Sequence, residues 1–250
     1  MTESKGVLPL RELRDASHWW FLLLLVIADL AFIASHLLLQ LTPIIDSGLY
    51  SLVRDRGYPE VFQYIKELWI IVLLLSVYLK TRAGGYVAWS LLFGYLLFDD
   101  AMQIHEKLGG VIGAHLHLVP FAGLRGQDFG ELIVSALAGA LLLTLIGWFY
   151  LRGAETCKRS TRHLLLLLFS VAFFGVVVDA LHMMLRMGGK LNLFWGVVED
   201  GGEMVAISCI AWYLFLLNVR QGELDFSLRR FLGAALARRS GRMRDPSPAG

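Results

Sequence analysis

Residues 98–110 read Phe98-Asp99-Asp100-Ala101-Met102-Gln103-Ile104-His105-Glu106-Lys107-Leu108-Gly109-Gly110, and they close an otherwise apolar segment that opens near Tyr86. Asp99, Asp100, His105 and Glu106 therefore fall within or at the edge of what reads as a membrane span. A charge at the centre of a bilayer costs about 2.5–3.5 kcal/mol on insertion scales. A chain that carries several such groups in one segment needs partners for them elsewhere.

The surrounding composition supports the membrane reading. The 250 residues are 56% hydrophobic and only 18% charged, with a mean hydropathy of +0.60. A soluble domain carries about 25% charged residues. The apolar residues come in long blocks rather than in alternation, which predicts an all-α, polytopic integral membrane protein. Six transmembrane helices are expected, near residues 18–41, 60–79, 86–108, 127–151, 163–187 and 193–219. They form one domain, 18–219, between an N-terminal segment, 1–17, and a tail, 220–250. The first block contains Asp29 and is followed by no small-residue cleavage site, so it reads as a retained helix and not a removed signal. In the tail, Phe226, Leu228, Phe231 and Leu232 interleave with Arg229, Arg230, Arg238 and Arg239. That is the pattern of a basic amphipathic helix lying on an anionic membrane face. Cys157 falls in a polar loop and Cys209 in a span, so the cysteines assign no compartment.

Lysine and arginine in the connections set the expected orientation. Sixteen lie on the side of the two termini, and six on the other (Arg54, Arg56, Lys107, Arg125, Arg186 and Lys190). The positive-inside rule then puts both termini in the cytoplasm, in the inner membrane of a cell. With that topology the ionisable groups of all six spans fall in the outer half of the membrane. They are His36 on the first, with Asp29 at mid-depth, Glu60, Lys66 and Glu67 on the second, the 99–106 cluster on the third, Asp128 and Glu131 on the fourth, Asp179 and His182 on the fifth, and Glu199, Asp200 and Glu203 on the sixth. The inner halves hold little that compares.

Helical spacing sharpens the convergence. At about 100° per residue, Asp99, Gln103 and Glu106 share one face of the third helix. Asp179 and His182 share a face of the fifth, and Glu199 and Glu203 a face of the sixth, with Asp200 at its edge. Carboxylate bundles with an acid–histidine pair at i, i+3 are how helical proteins hold two iron or manganese ions. Here there is one Asp-x-x-His and no second copy. The metal ligands expected on this basis are Asp99, Glu106, Asp179, His182, Glu199 and Glu203, with His105, Asp100 and Asp200 in catalytic or supporting roles. Sulfur-free, carboxylate-rich ligation puts iron ahead of zinc or manganese as the divalent metal.

Two runs carry a resemblance. Phe98-Asp99-Asp100 through Ile104-His105-Glu106 resembles a Leu-Asp-Glu-x-x-x-Ile-His-Glu signature of bacterial multipass membrane proteins. Glu199-Asp200-Gly201-Gly202-Glu203-Met204 is similar to their Glu-Glu-x-x-Glu-Met. Asp100 and Asp200 stand where those proteins carry glutamate. The resemblance implies a shared site and names no reaction.

The functional expectation is a membrane metalloenzyme with a carboxylate and histidine site, dinuclear in its fullest form, toward the outer leaflet. It would act on a lipid or other apolar substrate, by oxidation or hydroxylation with iron and by hydrolysis with zinc. Its partners are membrane lipid and a lipid-like substrate, with no nucleic acid. Two other classes compete: a transporter of divalent cations or protons, for which a continuous polar path to the cytoplasm is the discriminating feature, and a structural subunit whose buried charges set packing.

Overall fold

The structure is a computed structural model, and it describes residues 10–121, 124–185 and 188–219. The expected amphipathic tail, Arg186 and the first nine residues lie outside those described. Among the described residues eight α-helices follow one another: α1 (Leu10–Leu41), α2 (Tyr58–Thr81), α3 (Gly85–Met102), α4 (Ile104–His115), α5 (Gly126–Arg152), α6 (Glu155–Ala172), α7 (Asp179–Leu185) and α8 (Gly189–Val219). A π-helical stretch, Phe173–Val178, joins α6 to α7, so the pair forms one rod. The protein is an all-α polytopic membrane bundle. Five rods are long and apolar enough to cross a membrane: Trp19–Leu41, Tyr58–Thr81, Gly126–Arg152, Glu155–Leu185 and Gly189–Val219. The sixth, α3, has 18 residues and spans about 27 Å at 1.5 Å per residue.

α8 is the axis. Over half of its apolar window (56%) is buried inside the protein, against 11% for α5, so α8 is a core helix and α5 presents most of its surface to lipid. Around α8 pack α1, α2, α6 and the π stretch. Their shared core holds Ile70, Leu74, Tyr86, Trp89, Phe93, Ile207, Ile210 and Leu214, all at most 2% exposed. In a bilayer such contacts stabilise by close packing, because lipid tails are as apolar as leucine.

The third segment departs from expectation. A single helix to Leu108 is not formed. α3 ends at Met102, Gln103 takes a left-handed backbone (φ +54°), and α4 starts afresh at Ile104. Side chains hold the break. The Asp99 carboxylate accepts the backbone N–H of His105 at 2.7 Å, and Gln103 Nε2 donates to Asp55 Oδ2 at 2.8 Å. The glycine-rich stretch that follows is helical, not a loose connection, because α4 and α5 meet backbone to backbone. A Cβ on Gly130 would lie 2.0 Å from the Gly109 carbonyl oxygen, and one on Gly113 would lie 2.7 Å from that of Gly126. Gly109/Gly113 and Gly126/Gly130 are thus two small-xxx-small faces in contact, a common way for helices to close on each other in membranes.

Candidate functional site

At one end of the bundle a cavity of about 640 Å³ opens between α2, α3, α5, α6 and α8. Ten carboxylates line it: Asp55, Glu60, Glu67, Asp99, Asp100, Glu106, Asp179, Glu199, Asp200 and Glu203. Against them stand one arginine, Arg54, and one histidine, His105. Much of the convergence expected from the sequence is therefore one cavity. It holds every expected site residue except His182, and that ring is bonded to a lining acid.

The π stretch sets the approach of two of these elements. π-helical turns are rare and recur at functional sites. Here the turn brings the backbone of Gly175 against Glu203, so closely that a Cβ would lie 2.8 Å from Glu203 Oε2. It also re-phases the chain immediately before Asp179. Gln63 Nε2 donates to Glu203 Oε1 at 2.8 Å from the opposite side. Beyond Asp179, His182 Nδ1 lies 2.7 Å from Glu199 Oε2 and its Nε2 lies 2.9 Å from Asn192 Oδ1. Asp179 and Glu199 both line the cavity, so the histidine compensates one of two acids there.

The α3–α4 break arranges a second group. His105 Nδ1 stands 3.1 Å from Asp99 Oδ2, at ion-pair distance without hydrogen-bond geometry. The single-helix face that aligned Asp99 with Glu106 does not exist. Both reach the cavity because the chain turns between them, and His105 enters with them instead of pointing away.

Sequence reading placed Glu60 and Glu67 in the right half of the membrane but not in the site, and it left out Gln63 and Tyr95. Glu60, Gln63 and Glu67 fall at i, i+3 and i+7, one face of a helix, and that spacing was the available signal. The Tyr64 hydroxyl donates to Glu60 Oε1 at 2.5 Å, and the other oxygen of Glu60 accepts the Arg56 N–H, which fixes the loop before α2. Glu67 is 1% exposed. Its Oε2 and the hydroxyl of Tyr95 are buried with no hydrogen-bond partner, although Asp100 stands within reach of the Glu67 carboxyl.

Four other polar residues are accounted for outside the cavity. Asp128 accepts the Arg125 backbone N–H at 2.6 Å and pairs with its guanidinium at 2.7 Å, capping α5 and raising the arginine above its ordinary pKa through that hydrogen bond. His36, 1% exposed, accepts the Leu52 N–H on Nδ1 at 3.2 Å. Asp29 and Lys66, both fully buried, pair at 2.9 Å. The Lys66 ammonium also donates to the Met204 carbonyl at 2.8 Å and to Ser208 Oγ at 3.1 Å. His115 and His117 are exposed and line no part of the cavity.

Among the described residues no three His, Cys, Asp or Glu side chains stand together in an arrangement ready to hold a metal ion. The lining acids are instead engaged with Gln63, Tyr64, His105 and His182, or left over.

Residues 57–219 match the model of a family described as a domain of unknown function (DUF8692). The match runs from the start of α2 to the end of α8 and includes every lining carboxylate except Asp55. No curated protein and no solved structure matches the chain.

Proposed function

The chain belongs to the DUF8692 family, a domain of unknown function, so its chemistry has to come from the cavity, and we propose that the cavity is the cation site of a membrane metalloprotein acting on a lipid or other apolar substrate. One observation carries this reading: ten carboxylates against one arginine and one histidine around one cavity. Uncompensated charge in a low dielectric is strongly unfavourable unless it is paired, neutralised or bound to a counter-ion. A divalent cation supplies the most compensation in the least volume. Asp99, Glu106, Asp179, Glu199 and Glu203 are the ligands, with His182 moving in from behind Glu199. His105, Asp100 and Asp200 support them.

Binding requires rearrangement, since the acids stand apart in their present pairings. To hold an ion, Glu203 and Glu199 would have to leave Gln63 and His182, each joined to them by a single contact. A bound metal polarises an oxygen or lowers the pKa of its water. Iron, preferred for this ligand set, directs the site to oxidation or hydroxylation; zinc directs it to hydrolysis. The apolar wall of the cavity (Leu92, Leu96, Leu142 and Leu168 among others) suits an acyl-type substrate drawn from the outer leaflet, with both termini cytoplasmic.

Transport is the competing reading, and the floor of the cavity weighs against it. Beneath the acids the Asp29–Lys66 pair is closed off by Ser208 and Met204, and Ile70, Leu74, Ile210 and Leu214 fill the next layer with at most 0% exposure. These four side chains are apolar, so among the described residues the layer directly below the pair carries no polar group from them.

The deciding measurement is elemental mass spectrometry on protein purified in mild detergent without chelator or a metal-affinity step. Near-stoichiometric iron, zinc or manganese is expected in the wild type and is lost in Glu106→Ala and Glu203→Ala. Metal-free, well-folded wild type would sink the metalloprotein reading.

A further inference from the structure

We propose that the cavity takes a single-chain amphiphile with a primary ammonium head, the head resting on Glu67 and Asp100 and the chain lying in the apolar arm between α3, α5 and α6. This names the substrate class of the same cavity and rests on the reading of that cavity as the working site.

The head position follows from what is left unpaired. Glu67 is 1% exposed, lines the cavity, and has a carboxylate oxygen with no partner. The Tyr95 hydroxyl of α3, also without a hydrogen-bond partner, can accept as well as donate there. A buried acceptor without a donor is costly, more so when it is charged. The bundle already shows what satisfies such acceptors. One residue earlier, the Lys66 ammonium is held by Asp29, the Met204 carbonyl and Ser208 at 2.8–3.1 Å. An ammonium has three donors and no acceptor, and the Glu67 side offers it acceptors in the same way. An anionic head meets repulsion from ten carboxylates, and a neutral hydroxyl leaves the Glu67 charge uncompensated.

The chain position follows from depth. Leu92 lies seven residues before Asp99, about 10 Å along α3, and Leu168 lies eleven before Asp179, about 16 Å along its rod. Both line the cavity. The arm therefore runs from the acid layer toward the middle of the bundle, the direction in which a lipid tail lies in a leaflet. Ser135 and Leu143 of α5 line the cavity and are also exposed, so the arm is open to the bilayer on that side. Gly139 lies between them on the lining, and a Cβ built there meets nothing within 4 Å. That is free space for a chain.

The test uses the full-length protein in phosphatidylcholine nanodiscs and two photoreactive probes with the same diazirine-bearing C16 chain. One probe ends in a primary amine, the other in a hydroxyl. The amine probe is expected to label the arm residues of α5 and α6 about tenfold more than the alcohol, a ratio worth about 1.4 kcal/mol. Glu67→Gln is expected to remove that preference. Gly139→Phe fills the arm without touching an acid, and it is expected to lower labelling by both probes at least fivefold while metal content stays at the wild-type level. Equal labelling by amine and alcohol overturns the proposal, as does wild-type labelling in Gly139→Phe. Metal present without amine labelling overturns this proposal alone. Amine labelling in a metal-free protein supports it and overturns only the metal reading.

Discussion

Lys66 and Glu67 are adjacent on α2 and point about 100° apart, and the two directions lead into different kinds of polar interior. Behind Lys66 the charges balance. Asp29 and Lys66 are both fully buried, and Ser208 donates to the second oxygen of Asp29 at 2.5 Å while accepting from the ammonium. In front of Glu67 they do not balance, and partners are short. A balanced buried network holds helices α1, α2 and α8 in register. An unbalanced one is stable only with something bound or with protons taken up, which is what a binding site needs and a structural core avoids. The bundle keeps the two apart by the turn of a single residue.

The comparison is broken most easily at Lys66. Lys66→Met strips Asp29 of its counter-ion and is expected to cost about 3–5 kcal/mol, read as loss of folded protein in detergent thermal melts. Adding Asp29→Leu should recover most of that, since a buried pair replaced by apolar groups is often neutral. If Lys66→Met melts like the wild type, the network behind α2 is not what holds these helices. Glu67→Gln sharpens the contrast with the opposite sign. Removing a surplus charge from the cavity is expected to stabilise the unliganded protein by roughly 1–2 kcal/mol, the trade-off seen where a site is kept at the expense of stability. A Glu67→Gln variant less stable than wild type would mean that Glu67 belongs with the structural charges. The smallest effect is the control. Arg162 and Glu155 pair at 2.9 Å with side chains 53% and 66% exposed, and Arg162→Ala should cost under about 1 kcal/mol because solvent screens such pairs. A larger loss would show that charges at the other end of the bundle matter more than their exposure implies.

Much of the cavity's acidic lining was legible in the sequence. Asp99, Glu106, Asp179, Glu199 and Glu203, named from spacing and topology, all reach one cavity, as do Asp100, Asp200 and His105. The route to that result was partly mistaken. Asp99 and Glu106 were aligned on a helix that is broken between them at Gln103. The break was hard to read because glutamine is an ordinary helix residue, and its left-handed backbone is held by Asp55 from a distant loop. Asp128 was grouped with the converging acids, but its partner is Arg125, three residues away. Glu67 stands with the converging acids of the second span but outside the expected ligand set, because only its shared face with Glu60 and Gln63 marks it.

The sequence by itself determined that the chain is a bundle of apolar helices with its ionisable groups gathered toward one end. Block length, the 3.6-residue repeat and the placement of arginine and lysine are local properties that survive without knowledge of the partners. Only the tertiary structure decided which acids share a cavity and which are spent on structure. That depends on how each helix is rotated against its neighbours, and the rotation is set by contacts between residues far apart in sequence: Gly130 on Gly109, Gly175 on Glu203, and Lys66 among Asp29, Met204 and Ser208.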